Sequence, residues 1–388
     1  MIDECRLPPA YTTAIAAIAG SAAERDRHGE DLSIEIGLLS GCGALIGSLP
    51  GSMNASATWS DTPRALADLL RALGRASLPV GRLFEGHVNA AQLISIYGSA
   101  TLQERTVARV AKGALLGVWG ADGDTPVQAE RCRDGFRLRG AKAFCSGLGI
   151  VRIALVSATM DGGTQLFAVD VADAARANPA SWRVSGMRAT GSGDYDFAGM
   201  VVPADAAVGS INDYFVEPWF LGGMYRMCAV QVGGIEALLS AIIAHIQRRR
   251  ATGDAIQQMR IGQIAAQLLM ARSVTDQLAG AIADGNDAEA IAQQAALTRD
   301  AVETCATNIL AMVERSGGTA AHREGSDLDR IRRDLGLYLR QAAVDARLVQ
   351  AGAQLLAGGK GESVNDRPIQ RPRLVAGGTV ERPNAQER

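Results

Sequence analysis

At 388 residues the chain is long enough for two or three domains around a large core. It carries 39 Lys+Arg against 41 Asp+Glu, a net charge of −2, which excludes a global electrostatic pull toward nucleic acid or anionic lipid. Apolar residues make up 47% of the chain but aromatic residues only 4%, so alanine and leucine fill most apolar positions and favour helices.

From Pro9 to about Gly117 the pattern is helical, over Thr12 to Arg27, Pro63 to Leu73, Ala90 to Tyr97 and Thr101 to Ala111. Asp61-Thr-Pro63 reads as a helix start with proline in its first turn. Near Val118 the texture changes to short β-branched and aromatic segments: Gly135 to Arg139, Ile153 to Val156, Gln165 to Val169, Trp182 to Val184, and Tyr195 through Val202. Asp161-Gly-Gly163 between two of them predicts a tight hairpin.

After Pro203 and Pro218 helical periodicity returns. Ile235, Leu238, Leu239, Ile242 and Ile246 form one apolar stripe; Ile261, Ile264, Leu268 and Ala271 a second; Ile291, Ala295, Val302, Cys305, Ile309 and Met312 a third. Ser326-Asp-Leu-Asp329 resembles a capping box opening a fourth helix that runs to about Leu356. The Pro-, Gly- and charge-rich remainder predicts a flexible tail.

The expected fold class is α+β, mostly α: an N-terminal helical domain (1–117), a central β-domain (118–215), a C-terminal four-helix bundle (216–357) and the tail (358–388). Strands and helices are segregated and no G-x-G-x-x-G follows a strand, which argues against a Rossmann domain. Six scattered cysteines without a C-x-x-C pair, and only four histidines, predict reduced thiols and no metal site. The N-terminus lacks the order of a signal peptide and no uninterrupted apolar run approaches the roughly 20 residues that span a bilayer, so a cytoplasmic protein without membrane contact is expected.

The stretch Gly140-Ala-Lys-Ala-Phe-Cys-Ser-Gly147 holds one aromatic ring and one hydroxyl close together on what reads as a short rigid element between strands. With Arg249 and Gly253 at a loop start, Ser316-Gly-Gly318 and Arg330-Ile-Arg-Arg-Asp334, it makes the chain resemble the acyl-CoA dehydrogenase superfamily of flavoproteins from Pro9 to Leu356. The resemblance implies bound FAD, with FMN as the alternative, and a small-molecule substrate. It implies that Phe144 packs on the flavin ring, that Ser146 lies next to its N5 atom, and that Cys145 belongs to the same flavin-contacting segment. It further implies that Trp119 lines the flavin, and that Arg249, Gly317 and Gly318 meet the cofactor of a neighbouring subunit in a homodimer or homotetramer. Without the resemblance, Phe144 and Trp119 read as core residues, Arg249 as dipole compensation at a helix end and Ser316-Gly-Gly318 as a helix C-cap.

The sequence also departs from that pattern. Gly117 to Asp124 replaces the loop that commonly reads T-E-P-x-x-G-S-D, and Glu314 stands where many members have Gln. Neither usual position of the catalytic carboxylate carries one: the first is Ala342, and the second region reads Gly223-Met-Tyr-Arg226. Asp345 and Glu217 are the nearest alternatives. Phe-x-Ser-Gly is closer to the superfamily's flavin-dependent monooxygenase branch, yet Gln341 stands where that branch often has histidine, and an amide cannot exchange protons near neutral pH. Three readings stay open. The first is a dehydrogenase with a displaced base, served by an electron-transfer flavoprotein. The second is a monooxygenase or N-hydroxylase fed by a flavin reductase, and the third a member that has lost catalysis and acts as a binding partner.

Overall fold

A computed structural model of the chain describes residues 7–29, 31–54, 62–340 and 344–357. The N-terminal helices are α1 (Pro9–His28), α2 (Ser33–Gly41), α3 (Ala44–Gly47), α4 (Pro63–Ala76), α5 (Leu78–Tyr97) and α6 (Ala100–Val110). Pro63 opens α4 as the sequence predicts. Helix α5 begins well before the expected Ala90, because Ser77 caps it by accepting from the Val80 N–H at 3.4 Å and Pro79 sits harmlessly in its first turn.

The β-region opens at Leu115 rather than at 118. Its strands are β1 (Leu115–Trp119), β2 (Gln128–Cys132), β3 (Gly135–Arg139), β4 (Ala141–Lys142), β5 (Val151–Met160), β6 (Gly163–Asp170), β7 (Ala177–Asn178), β8 (Asp194–Asp196), β9 (Val201–Val202) and β10 (Ala207–Val208). Seven form one sheet in the order β10-β6-β5-β2-β3-β9, with β1 parallel to β5; β4, β8 and β7 form a second. The β5–β6 hairpin turns at Asp161-Gly162, as the sequence predicts. Trp182 to Val184 is not a strand: the Trp182 N–H closes a turn onto Pro179 O and its indole donates to Met187 O at 3.1 Å.

The C-terminal helices are α7 (Met224–Arg248), α8 (Ala255–Ala283), α9 (Ala288–Gly317), α10 (Asp327–Tyr338) and α11 (Val344–Leu356). The expected single helix from Ser326 to Leu356 is therefore two. Ser326 caps α10 as expected, but two buried side chains claim the carbonyls at its far end: Gln231 of α7 donates to Tyr338 O and Arg299 of α9 to Leu339 O.

The stripes of α7 and α9 are buried inside the chain, packed into one core with α4, α5 and α10. Helix α7 is apolar along most of its length. Its mean hydropathy of 1.8 over an 18-residue window would suit a membrane span. Here, however, it is the central core helix, with Arg226, Gln231 and Glu236 among its buried residues. Close approach of α4 to α7 depends on glycine: a Cβ at Gly74 would lie 2.2 Å from Val230 O, and one at Gly233 2.1 Å from Arg71 O.

Candidate functional site

Beyond β4 the chain does not continue as a strand but turns at Phe144, whose φ of +54° is left-handed. That conformation costs a non-glycine residue about 1 kcal/mol and persists only where its surroundings impose it. The surroundings are main-chain bonds: Cys145 N donates to Gly193 O (2.7 Å), Gly147 N to Thr190 O (2.9 Å) and Leu148 N to Gly191 O (3.0 Å). From beneath, the Trp119 indole donates to Ser146 O at 3.1 Å and packs on Tyr195 with ring centroids 5.4 Å apart.

The consequence is a division of labour among side chains. Cys145 points into the core, where burial raises its thiol pKa far above the ordinary value, and Trp119 is buried as well. Both side chains are packed beneath the turn and support it. Phe144 is 62% exposed and meets Trp182 edge-on at 6.3 Å. Ser146 is half-buried, and its hydroxyl has no hydrogen-bond partner among the described residues. An open aromatic face and an unengaged hydroxyl thus share one rigid turn.

The loop that accepts these main-chain bonds is itself docked on α10. The Met187 N–H donates to the buried Asp334 carboxylate at 2.5 Å, and Arg333 donates to Ser185 O at 2.6 Å. Arg333 also pairs with Asp329 (2.7 Å) and with Asp26 of α1 (2.6 Å), which Arg188 joins at 3.2 Å. Gly186 lies flat on α10, where a Cβ would be 2.0 Å from Arg333 O. Burial pushes the Asp334 carboxyl up from the ordinary 3.8 to about 6, against the Met187 N–H and the nearby arginines. The Arg-Ile-Arg-Arg-Asp segment is therefore a dock for the loop that holds Ser146.

On the other side of the turn lies the seam between α5 and α7. Leu83 of α5 packs so near Gly147 that a Cβ there would be 3.1 Å away. Further along the same helix Glu85, Asn89 and Gln92 face Arg226 of α7, and beyond them opens a cavity of about 210 Å³ walled by Leu66, Val88, Ile96, Trp219, Tyr225 and Arg226.

No family model matches the chain. Among curated proteins it is similar to dibenzothiophene monooxygenases of Rhodococcus erythropolis and Rhodococcus qingshengii, 27% identical over 211 residues. That match covers 50% of this chain and about half the length (49%) of those relatives. Among solved structures it superimposes on FMN-bound TdsC from Paenibacillus sp. A11-2 with a TM-score of 0.80 at 20% identity, covering 90% of this chain and 96% of the other. Butyryl-CoA dehydrogenase from Megasphaera elsdenii gives 0.78 at 16% identity, covering 91% and 99%. The chain has the acyl-CoA dehydrogenase fold. KijD3, in complex with FMN and a dTDP-linked sugar, shares it at 0.80 and 20% identity, covering 92% and 96%.

Within the acyl-CoA dehydrogenase fold the remaining candidate residues fall in other places. Arg249 is exposed at the C-terminal end of α7, and Gly318, with φ +55°, is the C-cap of α9 in open space beside the buried Gly317. The end of α9 meets the start of α8 through Arg260, which donates to Arg315 O at 3.0 Å. Glu314 is engaged by Arg332 at 3.4 Å. Of the two substitute bases, Asp345 is exposed on α11. Glu217 accepts from the Leu221 N–H at 2.9 Å, its carboxyl pKa raised by burial. Gln341 and Ala342 lie outside the described residues. Among the described residues no cluster of His, Cys, Asp or Glu suits a metal.

Sequence reasoning missed the α5–α7 seam. Its signal was a polar series at Arg82, Glu85, Asn89 and Gln92, spaced for one helix face, inside a stretch too apolar to be a surface helix.

Proposed function

We propose that the chain is a flavin-dependent monooxygenase that oxidises a small organic substrate with molecular oxygen and receives reduced flavin from a separate reductase. The observation that carries this reading is the exposed Phe144 ring and the unengaged Ser146 hydroxyl on one main-chain-fixed turn. These residues fit a flavin: Phe144 offers a face for a planar ring, and Ser146 a donor or acceptor at its edge. When bound, reduced flavin supplies the electrons that activate oxygen or, oxidised, accepts a hydride. The chain's own part is positional. Gly193 and Thr190 accept from Cys145 and Gly147 on either side of Ser146, Trp119 donates to the Ser146 carbonyl, Asp334 holds the loop behind them, and the cavity beyond the α5–α7 seam is assigned to substrate.

The monooxygenase reading is favoured over a dehydrogenase because Glu217 is committed to a backbone N–H and Asp345 is exposed, and because the curated relatives are monooxygenases. The test is to load the protein with FMN or FAD, reduce it, and compare two reactions. Oxygen-dependent substrate oxidation is expected, whereas bleaching of oxidised flavin by butyryl-CoA without oxygen would overturn the reading. In the same assays Gln341→Leu should lower turnover and Asp345→Asn should leave it unchanged.

The apolar stripes of α7 and α9 are buried inside the chain and leave no free face for a subunit interface. The outer face of α8 offers one, since Ile256, Met259, Leu269 and Met270 are exposed there. We assign that face to a second copy of the chain in a homodimer or homotetramer; a monodisperse monomer by light scattering would remove it.

A further inference from the structure

We infer that Arg226 selects a small anionic substrate, one whose carboxylate or equivalent acidic group enters the cavity between α5 and α7. This rests on the reading of the turn as a reaction site and adds the substrate class to it.

The guanidinium of Arg226 is almost fully buried, with 3% of its side chain exposed, yet its charge is incompletely matched. Its two terminal nitrogens donate to neutral groups, Nη1 to Gln92 Oε1 (2.5 Å) and Nη2 to Asn89 Oδ1 (2.9 Å). The carboxylate facing it, Glu85, stands 3.9 Å from Nε, beyond hydrogen-bond reach, and gives its other oxygen to Arg82 at 2.9 Å. Two guanidinium groups share one carboxylate, and of the two it is Arg226 that is held out of water. Arg226 Nε has no hydrogen-bond partner. Leaving such a group unmatched opposes burial of the charge, and an entering anion would offset that.

The geometry leaves room for that anion. Of five N–H groups on the guanidinium, two are donated to Gln92 and Asn89 and a side-chain hydrogen bond joins the adjacent Tyr225 hydroxyl, while Nε is without a partner on a residue that lines the cavity. Gly223, just ahead of α7, makes room for the guanidinium itself at the cavity wall: a Cβ there would lie 2.4 Å from Arg226 Nη2. The other walls are largely apolar, with Leu66, Val88, Pro218 and Ile282, while the partly exposed Ile96 and Trp219 mark the opening. At about 210 Å³ the cavity is smaller than the roughly 300–1,000 Å³ typical of drug-sized ligands, which fits a compound of one or two rings.

Calorimetric titration of the full chain with benzoate and benzamide, and with the corresponding naphthalene pair, tests the inference. Benzoate or naphthoate should bind at least about tenfold more tightly than its amide, as a charge-assisted hydrogen bond implies. Arg226→Gln should erase the difference and Arg226→Lys should keep part of it. If Arg226→Gln fails to fold, Ile96→Trp at the opening serves instead: it should abolish binding of both probes without touching the arginine. Equal affinity for acid and amide, a preference that survives Arg226→Gln, binding unaffected by Ile96→Trp, or no binding of either acid each overturns the proposal. Flavin retention is read separately by absorbance. A protein that prefers the acids but holds no flavin would sink the flavin reading alone, and a flavin-loaded protein indifferent to the acids would sink this one alone.

Discussion

The turn at Phe144–Gly147 and the seam between α5 and α7 are neighbouring polar places in an alanine- and leucine-rich protein, and they are held in opposite ways. At the turn it is the main chain that is anchored, at Cys145 N, Gly147 N and Ser146 O, while the side chains of Phe144 and Ser146 are left open. In the seam the main chain is ordinary helix and the side chains are engaged with one another, leaving a buried charge short of its partner. A surface that presents a ring and a hydroxyl needs a rigid backbone beneath it, whereas a pocket that discriminates ligands needs unsatisfied side-chain groups within it.

The rigidity of the turn can be broken from a distance. Gly186→Ala should have the largest effect, because its Cβ would collide with the α10 backbone at Arg333 O and no side-chain motion relieves that. A loss of about 3 kcal/mol or more in urea unfolding is expected, with flavin binding lost in step. An alanine variant as stable as the parent would mean that the loop is not pinned there.

Asp334 gives a pH-resolved version of the same test. Unfolded it titrates near the ordinary 3.8 and folded near 6, so the stability it contributes is complete below the lower value and is lost as pH rises through the upper. The difference amounts to about 3 kcal/mol between acid and neutral solution. Asn keeps an acceptor for the Met187 N–H but cannot ionise. Asp334→Asn should therefore match the parent near pH 4 and become the more stable of the two above about pH 6. Melting temperatures that run parallel across this range would show that the carboxylate is not held out of water.

Smaller effects separate the two open side chains. Replacing Ser146 by Ala should leave folding intact and weaken flavin retention by about 0.5–1.5 kcal/mol, the worth of one hydrogen bond. Equal retention by variant and parent would remove Ser146 from the site. Phe144→Gly should move stability and flavin binding in opposite directions. It relieves the left-handed backbone, for a gain of a few tenths to about 1 kcal/mol, while deleting the ring that a flavin would pack on. A loss of both together would mean that the ring serves the fold.

Much of the architecture was legible in local patterns. The stripes of α7, α8 and α9, the proline that opens α4, the Ser326 cap and the Asp161-Gly162 hairpin depend on residues within a few positions of one another, so periodicity and turn chemistry sufficed. The juxtaposition of Phe144 and Ser146 was legible too, since two positions in one turn cannot be far apart. What local pattern could not reach was decided by contacts between residues distant in the chain. Met187 and Asp334 are 147 residues apart, and Arg226 lies 134 and 137 residues from its partners Gln92 and Asn89. The end of α10 at Tyr338 is imposed by Gln231 and Arg299 of other helices, while periodicity alone would have carried the helix onward to Leu356. Side-chain direction at the turn belongs to the same class: alternation along a strand would have placed Phe144 and Ser146 alike, whereas the left-handed residue, fixed by Gly193 and Thr190, exposes Phe144, half-buries Ser146 and turns Cys145 into the core.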